Sequence, residues 1–188
     1  ADNNIVDNAF LVVDGVLKQY IGNDETVNIP ANITSIGNYA FAYSNVKNVT
    51  IGNDVTTIGQ YAFAYCVGLQ TVTIGDSVTD IGDYAFYSCS ALKSVTYGTG
   101  LLTIGSYAFA ECVDLSKINS ETVGTVDVSG NVTTIGDYVF QGDVFVLKFI
   151  IGDSVTSIGT GIFADCTSIQ EIVIPYMKME EGAQKSYT

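Results

Sequence analysis

The residues with the clearest chemical potential are four cysteines. Cys66, Cys89 and Cys112 follow one another at intervals of 23 residues, and Cys166 completes the set. Thiols can bind zinc, form disulfides or act as nucleophiles. The chain has no histidine, so it lacks the commonest general base, the commonest zinc ligand and the usual partner of a cysteine or serine nucleophile. We therefore expect neither a metal centre nor a nucleophilic catalytic site.

Carboxylates are the other groups with chemical potential. Two of them could act as a general acid and base, but no pair stands out among 20 Asp and Glu residues. With 7 lysines and no arginine, the formal net charge is −13, which would repel nucleic acid and anionic membranes. No run of apolar residues is long enough to cross a bilayer. We expect no enzyme activity, no cofactor, no nucleic-acid binding and no membrane insertion.

The cysteines belong to a repeat. Its most regular part is Ile-Gly, followed three residues later by an apolar residue and Phe. The six copies begin at Ile36, Ile58, Ile81, Ile104, Ile135 and Ile158. Their phenylalanines are Phe41, Phe63, Phe86, Phe109, Phe140 and Phe163. Because the phase holds over six copies, the pattern indicates a repeat protein in which each copy is one structural unit.

Each copy contains signals for two extended stretches and a turn. The alternation in Val72-Thr73-Ile74 predicts a short strand with every second side chain inward. A glycine then turns the chain, and Val-x-x-Ile forms a second extended stretch. A polar residue after Ile-Gly, such as Asp83, stands where a helix N-cap would stand, and Ala-Phe-x-x-Cys has the spacing of one helical turn. Stacked coils would bury a core that one coil cannot.

The unit Val-Thr-x-Ile-Gly-x-x-Ala-Phe-x-x-Cys-x-x-Leu-x-x-Val-x-Ile resembles the BspA-like leucine-rich repeats over residues 29–175. This resemblance implies an α/β, β-rich, right-handed solenoid with short parallel strands, one-turn helices and about six coils. Asp14-Gly15 between two apolar runs is a hairpin signal. We therefore expect an N-terminal capping segment over residues 1–28, the solenoid over 29–175 and a C-terminal tail over 176–188.

In a solenoid each repeat position becomes a row of stacked side chains. The helical spacing directs two rows inward, the phenylalanines and the set Cys66, Cys89, Cys112 and Cys166. Neighbouring cysteines would be close enough for a disulfide, but in-register side chains point the same way and suit a bridge poorly. Buried free thiols that fill core space are therefore the favoured interpretation.

Tyrosines two residues before the phenylalanines are the candidate binding residues. This tyrosine row consists of Tyr39, Tyr61, Tyr84, Tyr107 and Tyr138. A shorter side row consists of Tyr43 and Tyr65, with Tyr87 as a looser third member. Since Phe points inward, the rings should lie near the surface, where they could stack on sugars or anchor a protein. Alternatively, they pack on one another and only shield the edge of the solenoid.

Two further features concern the surface. Asn32, Asn48 and Asn131 begin Asn-x-Thr sequons, which matter only in a cell that glycosylates proteins. The fourth copy carries an insertion around Asn119–Asn131, which is either a harmless bulge or a contact loop.

The family resemblance implies an extracellular or cell-surface location and a role in adhesion. We expect a binding module that recognises a protein or a glycan through a surface built by the repeats. The alternative is a structural element that self-associates, with coils stacked end to end or laterally. It is motivated by the lack of a clear polar cap after the last repeat, near Pro175.

Overall fold

The structure, a computed structural model, describes residues 4–174. Its regular elements are seventeen short strands. They are β1 (Asn4–Val6), β2 (Phe10–Val13), β3 (Val16–Tyr20), β4 (Thr26–Asn28), β5 (Ser35–Ile36), β6 (Asn48–Ile51), β7 (Thr57–Ile58), β8 (Thr71–Ile74), β9 (Asp80–Ile81), β10 (Ser94–Tyr97), β11 (Thr103–Ile104), β12 (Lys117–Ile118), β13 (Thr125–Val128), β14 (Thr134–Ile135), β15 (Lys148–Ile151), β16 (Ser157–Ile158) and β17 (Glu171–Val173).

The strands form two sheets that run the length of the molecule. Sheet A has the order β1-β2-β3-β5-β7-β9-β11-β14-β16, and sheet B has the order β4-β6-β8-β10-β12-β13-β15-β17. From β3 onwards neighbouring strands are parallel, and equivalent repeat positions pair, such as Val49 with Val72 and Ile51 with Ile74. The fold is a parallel β-solenoid of about seven turns. It exceeds the predicted six coils because β3 and β4 already form a turn before the first copy of the motif.

The predicted one-turn helices are wrong: no helix occurs within residues 4–174. In the third copy, Tyr84 and Ser88 both have a φ of 57°, in the left-handed region. The amide of Phe86 donates to the carbonyl of Ala108 in the next coil at 2.8 Å, whereas the amide of Tyr87 donates back to Tyr84 at 3.1 Å. Because alternate amides bond to the neighbouring coil, a continuous set of helical hydrogen bonds cannot form.

The polar residues after Ile-Gly are not helix N-caps, which corrects the second part of that prediction. Four of these side chains, those of Asn38, Asp83, Ser106 and Asp137, accept a hydrogen bond from the backbone amide at the same position of the next coil. Asp83 accepts from Ser106 at 2.8 Å, the Ser106 hydroxyl from Asp137 at 3.0 Å, and Asp137 from Thr160 at 2.7 Å. These bonds satisfy backbone donors at the corner of each coil, where the strands have ended.

The glycine of Ile-Gly is required by close approach between coils. A Cβ atom on Gly82 would lie 2.8 Å from the backbone nitrogen of Gln60, and one on Gly105 would lie 2.6 Å from that of Asp83. Both distances are shorter than van der Waals contact, so any larger residue would push the coils apart.

The core lies between the two sheets and contains the phenylalanines. Phe41, Phe63, Phe86, Phe109 and Phe140 are buried, and Phe163 packs against them while partly buried. Neighbouring rings stack in parallel from Phe41 to Phe140, with centroids 4.7–5.8 Å apart. Burial of this apolar area, at about 25 cal/mol per Å², is the main stabilising contribution that holds the coils together.

The cysteines lie beside these rings as free thiols. Cys66, Cys89 and Cys112 are buried and Cys166 is half-buried. Each thiol donates to the carbonyl of the phenylalanine one coil earlier, as Cys89 does to Phe63 at 3.1 Å. Burial raises the pKa of Cys89 and of Cys112, which keeps these thiols protonated and able to donate.

Asp143 takes the place of cysteine in the fifth copy. Its side chain is 0% exposed, and one carboxyl oxygen, Oδ1, accepts the amide of Cys112 at 3.1 Å. The other oxygen, Oδ2, has no hydrogen-bond partner. Burial raises the pKa of the Asp143 carboxyl well above its ordinary value, and the nearby Glu111 raises it further. A carboxyl group therefore stands where its neighbours in the row have a neutral thiol.

The N-terminal part of the described chain covers the first coil. Strands β1, β2 and β3 pair in antiparallel fashion at the end of sheet A. Tyr20 of β3 packs between Phe10 and Phe41, with centroid distances of 5.3 and 4.8 Å. The predicted boundaries of the capping segment and solenoid stay predictions, and the predicted tail over 176–188 lies outside the described residues.

The insertion adds a strand to sheet B only. Strands β12 and β13 follow each other in the chain and pair with each other in sheet B, whereas in sheet A β11 pairs directly with β14. The inserted residues between them form a loop from Asn119 to Gly124. Sheet B is therefore one strand spacing longer than the facing part of sheet A at this point, about 4.8 Å.

Candidate binding surface

Every member of the tyrosine row has a left-handed backbone. The φ angles of Tyr39, Tyr61, Tyr84, Tyr107 and Tyr138 lie between 53° and 60°. A side chain in this conformation costs about 1–2 kcal/mol. At Tyr84, the bond from its amide to Ser106 in the next coil, at 2.9 Å, helps to offset that cost. The conformation points the ring away from the core, while the phenylalanine two residues later points into it.

The rings of the tyrosine row stack on one another along the solenoid. Successive centroids are 4.9, 4.7, 4.7 and 5.0 Å apart. The angle between ring planes is 3–5° for the first three pairs and 16° between Tyr107 and Tyr138. That larger angle occurs where the inserted strand lengthens sheet B. The rings of the tyrosine row therefore pack on one another, as the alternative interpretation expected.

Stacking determines which parts of the rings face solvent. Tyr61, Tyr84 and Tyr107 each have a neighbouring ring on both faces and are half-buried. Tyr39 has a ring partner on one side and is 58% exposed. At the other end, the ring of Tyr138 lies directly against Gly161. The row therefore presents ring edges and hydroxyl groups, and an open ring face is found at Tyr39.

The side row extends this surface around the corner of the coils. Tyr43 and Tyr65 are exposed and stack at 4.9 Å. Tyr87 is one residue out of register and meets Tyr65 and Tyr84 edge to face, at 5.5 Å from each. The two rows thus join into one continuous aromatic surface of eight tyrosines.

The phenol groups of this surface are hydrogen-bond donors at neutral pH. Partial burial among the neighbouring rings raises the pKa of Tyr84 and of Tyr87, and nearby phenols raise it further. The carboxylates of Asp83 and Glu111 act in the same direction on Tyr84 and Tyr87, respectively. The surface is therefore aromatic, donor-rich and bordered by negative charge.

The predicted glycosylation sites lie on other parts of the molecule. Asn32 is exposed. The amide of Asn48 donates to Thr26 and accepts from Thr71 within sheet B. Asn131 is exposed and donates to the carbonyl of Thr99.

Within residues 4–174, no group of three or more His, Cys, Asp or Glu side chains is placed to hold a metal ion. The same part of the chain contains no helix with the length and apolar character needed to cross a membrane.

Sequence reasoning missed two sites. One is Asp143. Its signal in the sequence was an acidic residue at a repeat position that other copies fill with cysteine. The other is a polar cleft of about 440 Å³ beside the insertion, in which Tyr97 replaces the usual isoleucine of the strand. Both lie where one copy departs from the repeat, because a residue that breaks the pattern changes the packing on both neighbouring coils.

Together, the two parallel sheets, the stacked core and the rows of equivalent side chains define a solenoid-type repeat protein whose surface is built by repetition. Comparison with known proteins identifies its family. The chain matches six copies of the BspA type leucine rich repeat region, over residues 19–127 and 119–184, and therefore belongs to that family. A search of curated proteins found no match.

Several solved structures resemble the solenoid. A leucine rich cell surface protein of Faecalibacterium prausnitzii is 29% identical, with a TM-score of 0.58 over 89% of this chain and 53% of its own. The leucine-rich repeat protein of T. pallidum is 20% identical, with a TM-score of 0.70 over 88% of this chain and 90% of its own. One from Bacteroides ovatus is 22% identical, with a TM-score of 0.61 over 84% and 47%. This chain thus spans about half of the first and third proteins.

Proposed function

We propose that this protein is a binding module at a bacterial cell surface and that it recognises a protein partner through the tyrosine row and the side row. The observation that carries this proposal is the regular set of exposed ring edges and hydroxyl groups along one edge of the solenoid. Tyrosine is enriched at the energetic centres of protein interfaces because it combines a large apolar body with a hydrogen-bonding tip. The surface location is supported by the name of the related F. prausnitzii protein.

The stacking of the rings favours a protein over a glycan at this surface. A sugar that stacks on an aromatic residue needs a free ring face. Tyr61, Tyr84 and Tyr107 have both faces covered by their neighbours. A protein partner can instead use the ring edges and accept hydrogen bonds from the phenols through its backbone carbonyls.

The charge of the surface indicates the character of the partner. Asp83 and Glu111 border the tyrosines, and the whole chain has a formal net charge of −13. Negative potential around an interface accelerates association with a positively charged partner and disfavours acidic ones. The expected partner therefore carries lysine or arginine residues around its contact surface.

Replacing the hydroxyl groups while keeping the rings tests this function. The triple variant Tyr61→Phe, Tyr84→Phe, Tyr107→Phe should retain the stacked rings and the fold. Each lost hydrogen bond is worth about 0.5–1.5 kcal/mol, so capture by partner proteins should weaken about tenfold or more. An array that carries extracellular matrix proteins and glycans, probed with the full chain, measures this loss.

A matched control removes hydroxyl groups from another face. Thr50→Val and Thr73→Val change exposed positions of sheet B and should leave capture unchanged. If the wild-type chain binds only glycan spots, or if the phenylalanine variant binds as well as the wild type, the proposed role of the tyrosine surface is wrong.

A second candidate function is end-to-end self-association. Ile158, Ile172 and Ile174 in the last described coil are 43%, 43% and 60% exposed, although Ile135 and Phe149, equivalent to the first two of these, are buried one coil earlier. An exposed apolar end of this kind could stack on another copy. A single monomeric species in sedimentation experiments at micromolar concentration would contradict this candidate.

A further inference from the structure

The insertion in the fourth copy opens a cleft in sheet B. Strand β12 is two residues long, so β10 pairs with it only through Ser94 with Lys117 and Val95 with Ile118. Strand β13 pairs with the same two residues from the other side and then continues. Beyond Ile118 the last residues of β10 and β13 have no strand between them, a gap of two strand spacings or about 10 Å. The Asn131 side chain closes the far end of this gap by donating to the Thr99 carbonyl at 2.7 Å.

Side chains from the edges of the cleft keep it closed towards the core. Asn119 directly follows β12 and has a φ of 45°. Its side-chain oxygen accepts the amide of Tyr97 at 2.7 Å, and its nitrogen donates to the Tyr97 carbonyl at 3.1 Å. The buried ring of Tyr97 passes beneath the gap, and its hydroxyl donates to the carbonyl of Asp127 at 3.1 Å. The backbone of Tyr97 and the carbonyl of Asp127 are thus hydrogen-bonded, and the Tyr97 ring forms the floor of the cleft.

The cleft has the size of a small-molecule site and polar walls. Its volume is about 440 Å³, within the range of about 300–1,000 Å³ typical of ligand sites. Among the described residues, the hydroxyls of Ser94 and Thr96 make no hydrogen bond, and Lys117 and Glu121 make no ion pair. Asp127 uses one oxygen to accept the Ser129 amide at 2.9 Å. The cleft therefore offers both charged and neutral groups as hydrogen-bond donors and acceptors.

The balance of these groups indicates the chemical class of the ligand. Glu121 and Asp127 can only accept hydrogen bonds, Lys117 can only donate, and the hydroxyls of Ser94 and Thr96 can do both. An anion would meet two carboxylates, and an apolar molecule would leave the walls without partners. A neutral ligand rich in hydroxyl groups can donate to the carboxylates and accept from the lysine. We propose that this cleft binds a neutral saccharide of one or two sugar units.

The test uses the full chain and four neutral disaccharides: maltose, cellobiose, lactose and N,N′-diacetylchitobiose. Saturation-transfer NMR should detect at least one of them, with a dissociation constant of about 1 mM. Thr96→Tyr should fill the cleft and abolish the transfer. Thr73→Tyr is the matched control, since Thr73 is the paired position on β8 and does not line the cleft.

Variants of the carboxylates test the recognition itself. Glu121→Gln and Asp127→Asn should each weaken binding about tenfold, because each loses an acceptor that is charged. Asp127→Asn keeps the oxygen that accepts the Ser129 amide, so it should remain folded. The proposal is overturned if none of the four sugars gives a signal at about 10 mM, if Thr96→Tyr binds as the wild type does, or if an anionic heparin-derived disaccharide binds in their place.

This inference and the proposed function can each be refuted without refuting the other. The cleft lies in sheet B, whereas the tyrosines lie at the corner of the coils. Tyr61→Phe, Tyr84→Phe, Tyr107→Phe should leave sugar binding unchanged, and Thr96→Tyr should leave capture of partner proteins unchanged. If either variant alters the other activity, the two surfaces are not independent.

Discussion

The carboxyl of Asp143 should make this protein less stable at neutral pH than a variant with a neutral side chain there. Its side chain is fully buried and Oδ2 has no partner. An unpaired buried polar group costs about 1–3 kcal/mol. Asp143→Cys would restore the thiol of the other copies, which could donate to the carbonyl of Phe109 as Cys112 donates to that of Phe86. We expect a gain of about 1–3 kcal/mol in the free energy of unfolding at pH 7.

The pH dependence follows from the raised pKa of Asp143. In the unfolded chain an aspartate has a pKa of about 3.9, whereas burial raises the pKa of Asp143 in the folded protein. The protonated carboxyl makes its full contribution to the free energy of unfolding below about pH 3.9. This contribution is lost as the pH rises through the pKa that the group has in the folded protein. Over that range the folded state holds more protons, so stability falls by up to about 1.4 kcal/mol per pH unit.

Urea unfolding at several pH values measures this effect. Asp143→Asn keeps the shape and the oxygen that accepts the Cys112 amide, but it cannot ionise. The difference in unfolding free energy between this variant and the wild type should be small at pH 4 and grow towards pH 7. Asp165→Asn, at an exposed aspartate two residues after Phe163, is the control and should show no such growth. A difference that is constant with pH would refute the reasoning.

Three further substitutions have clear expected outcomes. Phe86→Ala should lower the unfolding free energy by about 3–5 kcal/mol, since the ring is fully buried between two others; a loss under about 1 kcal/mol in urea unfolding would be inconsistent with this packing. Asn119→Ala should cost about 1–3 kcal/mol because it removes both partners of the Tyr97 backbone, and an unchanged thermal midpoint would contradict that. Gly82→Ala should destabilise more than Gly52→Ala, measured by the same midpoint, since of these two glycines only Gly82 would bring a Cβ against the backbone of the preceding coil.

The sequence was sufficient to predict the solenoid because the repeat fixes it at several levels. The alternation of Val72 and Ile74 predicted a strand, and β8 lies there. The resemblance to the BspA-like repeats implied short parallel strands, and the parallel registers in sheet B confirm this expectation. Patterns of this kind are reliable because each position is repeated and because a slip would expose a whole row of apolar side chains.

The helices were predicted wrongly because two different structures share one spacing. Phe86 and Cys89 lie on the same side of a helical turn, but also on the same side of the observed turn with left-handed residues at Tyr84 and Ser88. Tyrosine gives no sign of a left-handed backbone. Gly142 and Gly161 occupy the equivalent positions in later copies with positive φ, and these two glycines were the available signal.

The outward position of the tyrosines was predicted from the sequence, but the orientation of their rings was not. The phase of the repeat placed the tyrosines outward, and they are at the surface. Whether their faces or their edges would meet solvent depends on the ring planes, which periodicity does not define. The cleft beside Asn119 could not be predicted from the repeat, since it results from an extra strand in one sheet and not in the other.

The tyrosine row also provides an internal optical probe. The chain contains no tryptophan, so tyrosines dominate its near-ultraviolet absorption. Five rings held parallel at 4.7–5.0 Å are fixed in a chiral array, and near-ultraviolet circular dichroism reports such fixed packing. Because each ring belongs to a different coil, the signal depends on contact between neighbouring coils. Loss of coils from one end would then reduce it in proportion to the number of stacked pairs that separate, which makes the order of unfolding along the molecule measurable without a label.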